Sequence, residues 1–134
     1  MLALAGKIAD EPAAANEVAE AAARVHRYFS VSLPLHLLDE EESIKPRLGT
    51  AEALELMTEQ HGEHERLLAP LLLHWTALAE GRGDRHALRT ELRALATDLE
   101  AHLQLEERLV FPGIERLGRD AQAEIIDEME ARRS

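Results

Sequence analysis

The stretch His36-Leu37-Leu38-Asp39-Glu40-Glu41-Glu42-Ser43-Ile44-Lys45-Pro46 has a counterpart 66 residues further on, His102-Leu103-Gln104-Leu105-Glu106-Glu107-Arg108-Leu109-Val110-Phe111-Pro112. Both copies read H-x3-E-E-x4-P. A His and a Glu four apart lie on one face of a helix, a turn apart. Apolar residues around each copy recur at spacings of three and four, which places both copies on helical seams that face a core. A lone H-x3-E is as readily a solvated surface pair. Two copies on core seams, each with the second Glu and the Pro, read instead as two halves of one polar centre, because a buried ionised carboxylate without a partner is very costly.

Working outward, Pro, Gly and capping residues divide the chain into helical blocks. Met1 to Ile8 reads as the tail of a helix closed by Asp10-Glu11-Pro12. A long block runs from about Ala13 to Ile44, with the seam Ala22, His26, Phe29, Leu33, His36, Glu40 and Ile44. The next starts at Thr50 as N-cap and runs to Glu80, with the seam Leu54, Met57, His61, His64, Leu68, Leu71, Trp75 and Leu78. A further block follows Asp84 as N-cap and ends between Pro112 and Gly118, with the seam Leu88, Leu92, Leu95, Leu99, His102, Glu106 and Leu109. Asp120 caps a short last helix to about Arg132, and Pro34 and Pro70 predict kinks, not ends. No segment reads as a strand. The expectation is a single all-α domain over residues 1–134, built as an up-down bundle.

Composition agrees. At 134 residues and 14.9 kDa the chain is long enough to bury about two-thirds of its unfolded surface. The apolar share of 46% is mostly Ala and Leu, and aromatics are only 3%, which favours helix over sheet. The absence of Cys removes disulfide scaffolds, Cys-type zinc sites, iron–sulfur clusters and thiol nucleophiles. A net charge of -11 argues against binding a nucleic-acid backbone. No phosphate loop or nucleophile elbow is present, so an enzyme acting on an organic substrate has no support. The short apolar start is not a signal peptide, and no run reaches the length of a membrane span, so a cytoplasmic protein without a membrane partner is expected.

Seven histidines remain to be placed. If the second and third blocks turn at Gly49, Glu40 and His36 lie 9 and 13 residues before the turn and His61 lies 12 after it. About the next turn, near residue 81, His61 and His102 are again at matching depth. His36, His61 and His102 therefore share one level with Glu40 and Glu106. His64 is one turn away, and is left as a further ligand, a group behind the ligands, or a core histidine. His26 lies roughly 15 Å along the helix from His36 and reads as a core histidine. His74 and His86 read as surface residues. Imidazole and carboxylate without sulfur suit iron, manganese or zinc.

His36, Glu40, His61, His102 and Glu106, with the repeated E-E-x4-P extensions, resemble the hemerythrin-like family of HHE cation-binding domains over about residues 13 to 117. The resemblance implies a four-helix bundle holding a non-heme di-iron centre. Glu40 and Glu106 would be bridging carboxylates and the three histidines terminal ligands. It further implies a small ligand such as O₂ or NO at the metal, in oxygen or NO binding, iron handling or redox stress. The repeat offset maps His61 to a position before Met1, so the family's first-helix histidine is not among these residues and a truncated first helix is expected, either because the true start lies further upstream or because the site is short of a ligand. Such a bundle leaves an apolar groove along the other three helices, which favours a homodimer. The alternative is a metal-free acidic helical module with an incomplete ligand set. A ferritin-like di-iron oxidase is disfavoured because no Glu precedes a His by three residues.

Overall fold

Ala- and Leu-rich segments with three-and-four spacing wind into five helical rods among the described residues. The computed structural model describes residues 1–11, 13–49 and 51–134. Helix α1 is Leu2–Asp10, α2 spans residues 15–48, α3 is Ala51–Ala79, α4 spans residues 85–115, and α5 is Arg119–Arg133. Thr50 and Pro12, expected as a cap and a terminator, lie outside the described residues. Asp84 caps α4 as expected, accepting a hydrogen bond from the His86 amide. Asp120 does not cap α5: Gly118 holds the N-cap position, and Asp120 sits in the first turn, where its charge still suits the helix N-terminus.

The repeated motif has a backbone counterpart. Residues Asp39–Ile44 and Glu106–Val110 widen into π turns, in which the Lys45 and Phe111 amides donate to the Glu40 and Glu106 carbonyls five residues back. Tyr28–Ser32 does the same, with the Leu33 amide donating to Tyr28. A proline follows each turn, at Pro34, Pro46 and Pro112. Proline offers no N–H, and its ring crowds the carbonyl four residues earlier, so a widened turn lets the helix continue through it. Pro70 is accommodated within α3, which stays helical on both sides. Both expected kink positions therefore lie within continuing helices.

Helices α2, α3 and α4 pack side by side, and α1 lies across α2 and α4 at one end. There Ala5, Ile8, Val25, Phe29, Leu71, Trp75, Leu88 and Leu95 form one apolar cluster, with Phe29 and Trp75 stacked at 5.2 Å. At the other end α5 folds back onto the Asp39–Ile44 turn, and its Ile125 joins Ile44, Leu54, Met57, Leu105 and Val110 in a second cluster. Helix α1, packed on α2 and α4, and α5, packed on the Asp39–Ile44 turn of α2, thus lie at opposite ends of the bundle. Between the clusters lies a layer of buried polar residues: Asp39, Glu40, Ser43, His61, His64, His102 and Glu106. No helix among the described residues is long and apolar enough to cross a membrane.

All eight expected seam residues of α3 are buried. In α2, Val25 takes the buried position expected for His26, which is only half-buried. His74 is half-buried and His86 exposed. In α4 the seam slips by one residue after Glu106, because the π turn inserts an extra residue: Val110 is 2% exposed and Leu109 is 47% exposed. Val110→Ala should therefore lower stability by about 1.5–2.5 kcal/mol, whereas Leu109→Ala should stay within about 0.5 kcal/mol of the parent in urea unfolding. The opposite ranking would contradict the slip in register.

Candidate metal centre

Glu40, at the start of the α2 π turn, is the hub of the polar layer. Its side chain is 1% exposed, and its two oxygens face different neighbours. Oε2 lies 2.6 Å from His61 Nε2 and 3.1 Å from His102 Nε2. Oε1 lies 3.0 Å from His36 Nε2. Glu106 Oε1 lies 3.0 Å from His102 Nε2 and 3.5 Å from His36 Nε2. The five residues expected from the sequence are thus brought to one place. Their ligand atoms fall into two groups, Glu40–His61–His102 and His36–Glu40–Glu106, each with its atoms within 4.8 Å of one another and each able to hold a metal ion. Glu40 belongs to both. The first group is buried throughout, whereas His36 in the second is 48% exposed.

A ring of acceptors lies behind the buried imidazoles. His61 Nδ1 is 2.9 Å from Glu41 Oε1, His102 Nδ1 is 2.8 Å from Gln60 Oε1, and His64 Nδ1 meets Asp98. An Nδ1–H donated to such an oxygen leaves the Nε2 lone pair facing inward, the arrangement that orients metal-binding histidines. His64 is fully buried beside the other rings, with centroids 5.0 Å from His102 and 6.1 Å from His61, and its Nε2 has no partner. Glu106 Oε1 is likewise buried without a well-aligned hydrogen bond, although two imidazole nitrogens approach it. Two orphaned buried lone-pair atoms in a His and carboxylate layer fit a cation better than they fit a closed hydrogen-bond network.

Gln60, Asp98 and Glu41 escaped the sequence reading. Glu41 was visible only as the second Glu of the motif, Gln60 as a neighbour of a seam residue, and Asp98 as the residue four before His102. Arg132 and Arg133 do more than the helix dipole requires. Arg132 donates to Asp39 Oδ1 at 2.9 Å and Arg133 to Asp39 Oδ2 at 2.6 Å, on a carboxylate with no exposed surface. Ser43 donates to Glu128 at 2.9 Å, and Arg47 holds the same Glu128 at 2.6 Å. Both Asp39 and Ser43 belong to the π turn that presents Glu40, so α5 clamps that turn.

The electrostatics follow from these contacts. Burial would push the Glu40 carboxyl up, but His102, His36 and His61 together hold it well below the usual carboxylate range. Glu106 and Glu40 raise the His36 imidazole to about 10. Burial lowers the His102 imidazole, yet Glu106 and Glu40 overcome that and hold it at about 9. Burial dominates at His64 and pushes its imidazole down despite Asp98. Without metal, His36 and His102 bind protons more tightly folded than unfolded, where the reference value is 6.5. Their contribution to stability is complete below that value and disappears as pH rises through about 9 to 10. The melting temperature of the chelator-treated protein should accordingly fall between pH 7 and pH 10, and the His36→Gln/His102→Gln double variant should lose most of that fall; an equal decline in both proteins would contradict the pairing.

The chain was also compared with known proteins. Neither the curated proteins nor the solved structures yield a match. The family model described as hemerythrin HHE cation binding domain matches residues 52–133, which takes in α3, α4 and α5 and the second copy of the repeated motif. With more than half of its length matched, and with two His/Glu groups at the centre of an all-helical fold, the chain belongs to the hemerythrin HHE cation-binding domain family.

Proposed function

We propose that the chain is a non-heme iron protein whose His36, Glu40, His61, His102 and Glu106 hold two ions, and that it binds or senses O₂ or NO or handles iron in redox stress. The observation that carries this reading is the position of Glu40, whose two oxygens each face a different ligand group. Imidazole and carboxylate donors suit iron, and also admit manganese or zinc. Iron held with an open coordination position supplies reversible binding of a small diatomic ligand.

The residues divide the work. His61 and His102, with Glu40 Oε2, form the inner position, where Glu41 and Gln60 fix the rings through Nδ1. His36, Glu40 Oε1 and Glu106 form the outer position. His36 is exposed, so this is where solvent and a small ligand arrive. Leu33, Leu68 and Leu105, all buried, belong to the apolar clusters on either side of the polar layer and limit the water that reaches it. His64 with Asp98 sits beside the inner position, as a further ligand or as a packed neighbour of His102.

His102→Ala should abolish metal retention through purification while the helical circular dichroism spectrum persists, and His64→Ala should have a smaller effect. Unchanged metal content in His102→Ala would overturn the assignment. Because His36 and His102 carry protons in the metal-free protein at neutral pH, iron(II) binding should release about two protons per chain and weaken as pH falls. Proton release measured by calorimetry in two buffers of different ionisation enthalpy checks this, and binding without proton release would contradict it.

A further inference from the structure

A cavity of about 700 Å³ lies between α2 and α3. Phe29, Leu33, Leu37 and Leu68 supply apolar walls, and His61, Thr58 and Glu41 supply a polar end. The cavity is a groove open along the surface, where Pro34, Leu38, Thr58, Gly62, Glu65 and Ala69 are all exposed. Its size falls in the range of about 300–1,000 Å³ usual for small-molecule pockets, and apolar walls with a few convergent polar groups are the usual lining.

Gly62 sets this space apart from a packing fault. It sits in the interior of α3, where glycine weakens a helix relative to alanine. No positive φ requires it, and a Cβ placed on it would meet nothing within 4 Å. No close helix crossing explains the glycine. Gly62 is exposed, and without a side chain it leaves the rim of the space open next to His61. Ala69, two turns along the same wall, is small as well.

Charge narrows the occupant. Among the described residues no Lys or Arg lines the cavity, and its acidic residues are Glu41 and Glu65. Glu41 already accepts from Thr58 at 2.9 Å and from Lys45 at 3.2 Å. Lys45, which does not line the space, also donates to Thr58 at 2.5 Å, so the charge it brings to the polar end is already taken up by Glu41. A carboxylate or phosphate would meet Glu41 and Glu65 and, among the described lining residues, no Lys or Arg to pair with. A hydroxyl or amine would share the Glu41 oxygens already approached by Thr58, Lys45 and His61, or donate to Glu65.

We propose that this cavity binds a small, neutral, mainly apolar organic molecule carrying one hydroxyl or amine, seated with that group towards Thr58, Glu41 and His61. This goes beyond the metal reading and does not depend on it, since the walls are formed by the protein alone.

The test uses the full chain, both chelator-treated and iron-loaded, titrated with the neutral arylamine N-phenyl-1-naphthylamine and followed by fluorescence. Saturable binding of one dye per chain is expected in both forms. Gly62→Leu, which projects into the open space and strengthens the helix, should weaken it by roughly tenfold or more. Ala69→Leu serves as the second variant if Gly62→Leu does not fold. Dodecanol should displace the dye and dodecanoate should not. The absence of saturable binding, or binding unchanged in both filled variants, would overturn the proposal. Equal displacement by the alcohol and the carboxylate would overturn its charge assignment. Loss of dye binding as the protein concentration rises, in step with dimer formation, would show that a second copy is the occupant and would overturn it as well.

Discussion

An ionised carboxylate in the middle of a helix bundle is the constraint on which the rest of the molecule depends. Glu40 has almost no contact with solvent, and burial alone would force it to take up a proton. Three imidazoles from three helices prevent this: His36 on its own helix, His61 on α3 and His102 on α4. The helices must therefore meet at one depth. Glu106 enters the same space from α4, which places two negative groups among three histidines. Apolar clusters above and below the layer supply the burial that stabilises the fold and keep water from relaxing the charges.

The two halves of this centre are not equivalent. Glu40–His61–His102 is closed by the bundle, and its imidazoles are pinned through Nδ1 by Glu41 and Gln60. His36–Glu40–Glu106 has one side open to solvent. One carboxylate belongs to both an enclosed ligand group and an accessible one, so a charge entering the outer group would act on the same carboxylate that His61 and His102 face. The clamp of α5 on Asp39 and Ser43 bears on the same turn and fixes the direction in which Glu40 points.

Much of this is legible in the sequence because it rests on periodicity and on a repeat. The seam of α3 is read without error, and the matched depths of His36, His61 and His102 follow from the helical rise alone. What escaped reading has identifiable causes. The slip from Leu109 to Val110 comes from a π turn, and a pattern of constant period does not anticipate an inserted residue. The prolines after each turn were visible, but as kinks and terminators. Asp98, Gln60 and the Asp39–Arg132–Arg133 contacts join residues far apart in the chain or lie at the edge of a seam, where polar side chains read as a solvated face. His26 and Val25 compete for one buried position, and one step in helical phase decides between them.

The central claim is that Glu40 joins two cation positions. The most direct measurement is elemental analysis of the full chain expressed with added iron and purified without chelator, set beside its optical spectrum. Two ligand groups sharing Glu40 predict close to two metal ions per chain, with near-ultraviolet absorption from a coupled iron pair. Metal that is absent, or well below one ion per chain, would contradict the account and leave the buried carboxylates and histidines as a structural network in an acidic helical module.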